Sequence, residues 1–318
     1  GIHVPAGASL TISALSEDEQ TMGSLTATTS SGSCAAIGGN KKETAGSIYI
    51  NGGRVTASGS SFAAGIGGGN KSSFEHIEIS GGIVNATGSM GGAGIGNGNG
   101  GNQGKSGTIL ISGGKIAKAQ GGRDGAGIGG GAGIGDSPAI TITGGDISAQ
   151  GGTGGAGIGA GGSGGDCSSV SISGGKVTAF GNEYSSTKGV YSAGIGGGYS
   201  TSGAGGSVDS ISITGGLIYA DYIGPGAGRK AGPNSNPIVG EIGSIEMDNT
   251  IVFLDNQGTV YGTVAVFSDF NSVDSPLTIP AGAALVVPED MVLTINSELT
   301  VNGTLIVNGT IVNNGTII

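Results

Sequence analysis

Charge is scarce in this sequence. Of 318 residues only 12 are Lys or Arg and 22 are Asp or Glu, a formal net charge of −10. Clustered cations hold proteins to phosphate backbones and to anionic lipid surfaces. Nucleic acid and membrane surfaces are therefore excluded as partners. No uninterrupted apolar run approaches the ~20 residues of a membrane helix, so membrane insertion by this segment is not expected. No secretion signal opens the chain, and a native signal or anchor is expected to lie outside residues 1–318. Histidine is reduced to His3 and His76, in distant parts of the chain. A zinc site needs several N or S ligands converging, so no metal and no other cofactor is expected. Cys34 and Cys167 are the two cysteines. They fall four to five repeats apart, roughly 20 Å at the ~4.8 Å strand spacing. A disulfide needs Cα atoms within ~7 Å, so both are expected to be unpaired structural thiols.

Proline is also rare, at 8 residues, whereas glycine is abundant, at 74. The glycines have no three-residue period, which excludes collagen. They follow a longer pattern, which excludes a disordered linker. A short β-rich stretch ends in Gly-Gly, a second stretch follows, and the phrase closes on Ala-Gly-Ile-Gly. Copies run over 48–69, 77–98, 109–131, 140–162 and 170–198, with a degenerate copy over 211–228. The Gly-Gly pairs start at 52, 81, 113, 144, 174 and 215, about every 30 residues. Apolar positions alternate within each copy. Ile48 and Ile50 flank Tyr49, and Ile140 and Ile142 flank Thr141. A two-residue period marks a strand with one buried face. Val55, Val84, Ile116, Ile147, Val177 and Ile218 resume the pattern after Gly-Gly, and Ile66, Ile95, Ile128, Ile158 and Ile195 mark a third stretch.

Three short strands per repeat, stacked on the next repeat, predict an all-β right-handed parallel β-helix. One rung cannot bury its own Ile and Val, but stacked rungs can, and parallel crossovers are almost always right-handed. The Ile140-Thr141-Ile142-Thr143-Gly144-Gly145 and Gly125-Ala126-Gly127-Ile128-Gly129-Gly130-Gly131 runs resemble the Gly-rich repeats of large bacterial cell-surface proteins with pectin-lyase-like β-helices. The resemblance covers roughly residues 24–228. It implies a secreted or cell-surface setting, bacterial and of Gram-positive type, which needs no disulfides. It also implies an adhesin-like or carbohydrate-binding role. Residues 1–228 are read as the Gly-rich helix and 229–275 as transitional rungs with longer loops. Residues 276–318 are read as a shorter-period solenoid, in which Asn-Gly turns at 302, 308 and 314 recur about every six residues. The pattern is interrupted at Ile318, which reads as a cut from a longer chain.

Chemistry is hard to find. Arg54, Ile83, Lys115, Asp146, Lys176 and Leu217 share one outward position just after Gly-Gly. An Asp between two Lys can imitate a catalytic carboxylate, but a cross-strand charge ladder accounts for it. Lys118 falls where other rungs place an inward Ala, and predicts a local bulge. Glycines flanking each inward Ile, such as Gly65 and Gly67, would face outward as a bare strip or belong to a tight corner. The Gly-rich loops lack the Gly-Lys-Ser/Thr ending of a phosphate loop. The repeats also lack the recurrent Asp of calcium-binding nonapeptides.

Aromatics are few, seven Tyr and six Phe, yet Phe180, Tyr184, Tyr191, Tyr199, Tyr219 and Tyr222 gather within 43 residues of one another. Tyr184 and Tyr191 lie on the one long insertion, 182–192. Loops on a rigid scaffold carry binding residues, and amphipathic rings suit sugars or protein partners. Tyr184, Tyr191, Tyr199, Tyr219 and Tyr222 are thus the candidate ligand-binding residues, and a glycan or a host or cell-surface protein is the expected partner. Alternatively these rings cover weaker end rungs. The expected function is a non-catalytic stalk or adhesin-like module. The rival is a polysaccharide lyase or glycoside hydrolase on the same fold.

Overall fold

The computed structural model describes residues 1–101, 107–133, 137–185, 190–201, 203–228 and 237–318. Its regular structure is strand throughout, stacked in parallel ladders, and the chain is a parallel β-helix solenoid. Each turn has three sides. Strands such as Ala45–Ile50, Phe74–Ile79 and Thr108–Ile111 stack on the first. Arg54–Ser58, Ile83–Thr87 and Lys115–Gln120 stack on the second. Two-residue strands, Ile2–His3 and then seven Ile-Gly pairs, form the third, an eight-stranded ladder ending at Ile223–Gly224. Inward residues align rung on rung: Ile48 on Ile77, Val55 on Val84, Ile66 on Ile95. All six are fully buried. Each such side chain contributes about 1.5–3 kcal/mol through burial, and no single rung could bury it alone.

The third side is an arch rather than a flat strand. The Ala64 N–H donates to the Gly68 carbonyl (3.0 Å), bracketing Gly65-Ile66-Gly67 and pushing Ile66 into the core. The closure recurs from Ala126 to Gly130 and from Ala193 to Gly197. The flanking glycines Gly65, Gly67, Gly94 and Gly96 are buried, so the bare outward strip does not exist. The tight-corner alternative holds instead: backbone of the next rung, at Thr87 and Gly94, fills the space beside Gly65. Gly67 and Gly96 sit at φ 123° and 138°, and a Cβ on either would collide with the carbonyl oxygen one rung on.

The bulge at Lys118 is present. Ile116 pairs with Val84 and Ile147, while Ala119, not Lys118, pairs with Ala86 and Ala149. One extra residue is absorbed, and both Ala117 and Lys118 are exposed. The outward ladder Arg54–Ile83–Lys115–Asp146–Lys176–Leu217 stacks in register, with Lys115 Nζ 3.6 Å from Asp146 Oδ2. Cys34 and Cys167 are both free thiols. Burial is the main cause that pushes the Cys167 thiol up to about 12.

The architecture changes at residues 250–261. Thr250–Leu254 stacks in parallel on the second side of the preceding rung. Asp255 and Asn256, both at positive φ, then form a two-residue hairpin turn. Gln257–Tyr261 returns antiparallel, Leu254 opposite Gln257. The next strands, Leu277–Ile279, Glu298–Val301 and Thr316–Ile317, stack parallel to Gln257–Tyr261, so this ladder runs opposite to the first solenoid. The buried face changes as well. Val252 belongs to the first core, whereas its neighbours Ile251 and Phe253 belong to a second core with Val260, Leu277, Leu285, Leu293 and Leu299. One sheet therefore serves two cores from its two faces, inside the stretch read as transitional. In the second solenoid each six-residue Asn-Gly unit is one side, and a turn takes about 20 residues (Ala284 stacks on Thr304).

Candidate functional site

The insertion after the second side of the sixth repeat is clipped at its base. Ser192 Oγ accepts the Asn182 N–H (2.9 Å) and donates to the Asn182 carbonyl (3.1 Å). Asn182 Nδ2 donates to the Gly151 carbonyl one rung below (3.0 Å). Above this clip, Glu183–Ser185 and Val190–Tyr191 form a short antiparallel pair, Glu183 opposite Tyr191. Residues 186–189 and the Tyr184 side chain lie outside the described part of the structure.

The pair carries Tyr191 onto Tyr222. The rings meet edge to face, centroids 5.2 Å apart at 78°. Both are half-buried. Tyr222 lies over Gly224, where a Cβ would stand 2.6 Å from its hydroxyl. Burial, and then Tyr191, raises the Tyr222 phenol above its usual value, so it stays protonated at neutral pH and both donates and accepts. Asp221 is adjacent. Its Oδ1 accepts the Tyr222 N–H (2.8 Å), and burial raises its carboxyl above the ordinary value. Phe180, 39% exposed, extends the apolar surface at the same end of the second side.

The other two predicted tyrosines do not join this patch. Tyr199 is 4% exposed. Its ring packs where a Gly154 side chain would stand, so it offers no face to a ligand and fills space left by a bare glycine. Tyr219 stacks on Phe253, centroids 4.9 Å apart at 12°. It packs against the second core, and burial raises its phenol. It is a joint between the two solenoids. Sequence proximity grouped these residues, but the rungs aim them at different sides. Asp221 escaped the sequence reading. The signal was its register: Gln150 pairs with Phe180 and Ala179 with Ala220, so Asp221 takes the position that ends each second-side strand.

The histidines are apart. His3 Nε2 lies 3.0 Å from Glu43. His76 sits between Thr108 (2.8 Å) and Glu78 (3.6 Å). Among the described residues no three of His, Cys, Asp or Glu gather as metal ligands.

A family model described as a beta helix repeat matches residues 48–70, 77–99, 109–137 and 170–199. These four stretches follow the strand, Gly-Gly, strand, arch phrase of the second, third, fourth and sixth turns. No curated protein and no solved structure matches the chain.

Proposed function

We propose that this chain is a non-catalytic, adhesin-like β-helix module of a bacterial cell surface or secreted protein. Its ligand patch is Tyr191, Tyr222 and Asp221, with Tyr184 carried on the same inserted pair, and its ligand is a glycan. The observation that carries this reading is the edge-to-face pair Tyr191–Tyr222 beside a partly buried carboxylate. Sugar rings stack on aromatic faces and need acceptors and donors at their rim, and both are supplied here on a scaffold stiffened by stacked rungs. A surface setting agrees with the Gly-rich resemblance and with the sparse, acidic charge.

The test is a glycan array probed with the unmodified chain and with the Tyr191→Ala/Tyr222→Ala variant. Binding by the unmodified chain that falls at least about tenfold in the variant is expected, as for removal of a central aromatic anchor. Glycan binding of equal strength in both proteins would reject the patch, and no binding by the unmodified chain would reject the glycan.

A further inference from the structure

The first turn differs from those above it at one corner. In the next four turns the first and second sides are joined by three residues, as at Asn51-Gly52-Gly53 and Ser80-Gly81-Gly82. In the first turn the strand Ser9–Ile12 is joined to Ser24–Thr28 by residues 13–23. This expanded corner is ordered by its own hydrogen bonds. Asp18 accepts from the Gln20 N–H through Oδ1 (2.9 Å) and from the Met22 N–H through its carbonyl (2.8 Å). Ser16 and Thr21 hydroxyls pair at 2.8 Å. Arg54 ties it to the next rung by donating to the Glu19 carbonyl (3.2 Å).

The expanded corner roofs a groove of about 350 Å³ that crosses the corners of the next three turns, within the size range of small-ligand sites. Glu17, Glu19 and Met22 form the roof, and Lys115 lies at the far end. The floor is backbone. Gly53, Gly82 and Gly114 all sit at positive φ, and a Cβ on Gly81 or Gly82 would stand 2.5 Å from a carbonyl oxygen of the rung before. Among the described residues, none accepts a hydrogen bond from the N–H of Gly53, Gly82 or Gly114. Unpaired backbone donors thus recur at the rung spacing among the lining residues, and the roof carries two carboxylates.

We infer that this groove is a second binding site, for a short neutral oligosaccharide lying along the solenoid axis. A hydroxyl donates and accepts at once, so one ring can give hydrogen bonds to Glu17 and Glu19 while taking them from glycine N–H groups and Lys115. An anionic chain is repelled by the two carboxylates. An extended peptide fits less well, because its same-edge carbonyls recur at ~6.8 Å, two residues of ~3.4 Å, whereas the floor repeats at ~4.8 Å. Glycine's missing side chain lets the ligand reach the backbone. The groove is at a different corner from the tyrosine patch and does not rest on it.

The experiment is calorimetric titration with short neutral gluco-, manno- and xylo-oligosaccharides, beside oligogalacturonate and oligolysine. Three variants are compared. In one, residues 13–23 are replaced by Asn-Gly-Gly, with retention of the unmodified circular dichroism spectrum as the folding control. The second is Glu17→Gln/Glu19→Gln, which keeps the roof. The third is Tyr191→Ala/Tyr222→Ala. A neutral probe should bind the unmodified chain, lose binding when the roof is replaced, weaken about tenfold with the two glutamines, and bind the tyrosine variant unchanged. Binding by oligolysine or oligogalacturonate alone, or by no probe, overturns the inference. So does neutral-probe binding that survives both roof variants. Loss in the tyrosine variant alone would assign that binding to the other patch.

Discussion

At the scale of single residues, glycine does two separate jobs in this chain. Gly282 sits at φ 86° with nothing within 4 Å of where a Cβ would stand, so only backbone strain opposes a side chain there. Gly96, at φ 138°, has the Gly129 carbonyl in that space. Gly282→Ala should therefore cost about 1 kcal/mol, and Gly96→Ala more than about 3 kcal/mol, because a backbone clash is added to strain. Denaturant unfolding of both variants checks this, and equal losses would refute the steric account. Much of this was legible in the sequence. The inward Ile and Val were read from a two-residue period, and the misfit of Lys118 was enough to expect its bulge. For Gly65 and Gly67 the sequence offered both an outward strip and a tight corner, and the corner is what forms; a residue without a side chain carries no facing signal to decide between them.

At the scale of elements, polar columns matter as much as apolar ones. In the second solenoid Asp274, Asn296 and Asn314 form a ladder. Asn296 Nδ2 donates to Asp274 Oδ1 (2.7 Å), and Asn314 Nδ2 donates to Asn296 Oδ1 (3.0 Å). Ser272 Oγ donates to Asp274 Oδ2 (2.6 Å). Asn296 first, then Ser272, holds the Asp274 carboxyl below its ordinary value. A lowered folded value means stability that is present above the unfolded value, ~3.9, and is lost as pH falls through the folded one. Asn296→Ala should move the Asp274 titration up towards ~3.9 and flatten that acid limb. Carboxyl chemical shifts followed against pH report it, and an unmoved midpoint would show that the ladder does not set it. The Asn-Gly repeat was visible in the sequence as a run of turns. That three such units close one turn was not, because a six-residue period fixes the length of a side and not the number of sides. The tyrosine patch shows the same limit. Tyr191 and Tyr222 meet because the arch and the inserted pair bring them to one corner, whereas Tyr199, close in sequence, is aimed at Gly154.

For the whole molecule, the joint at residues 250–261 is the controlling feature. Val252 and Phe253 are adjacent, yet they pack into different cores. Val252→Ala should loosen the last rungs of the first solenoid, and Phe253→Ala should loosen the second and release Tyr219. Large-to-small core changes of this kind cost about 2–5 kcal/mol. Hydrogen exchange read by mass spectrometry should show the lost protection on opposite sides of the joint. Loss spread over both halves by either variant would mean that the two cores unfold as one.

The rung lengths also set how the chain would yield to tension. Backbone hydrogen bonds between rungs lie along the solenoid axis, so a pull along that axis opens one rung at a time, like thread leaving a spool. A turn of the first solenoid holds about 30 residues (Ile128 to Ile158) and would release about 100 Å of chain at ~3.5 Å per residue. A turn of the second holds about 20 (Ala284 to Thr304) and would release about 70 Å. The molecule is thus a tether with two gauges of slack, and the hairpin at Asp255-Asn256 is the knot between them.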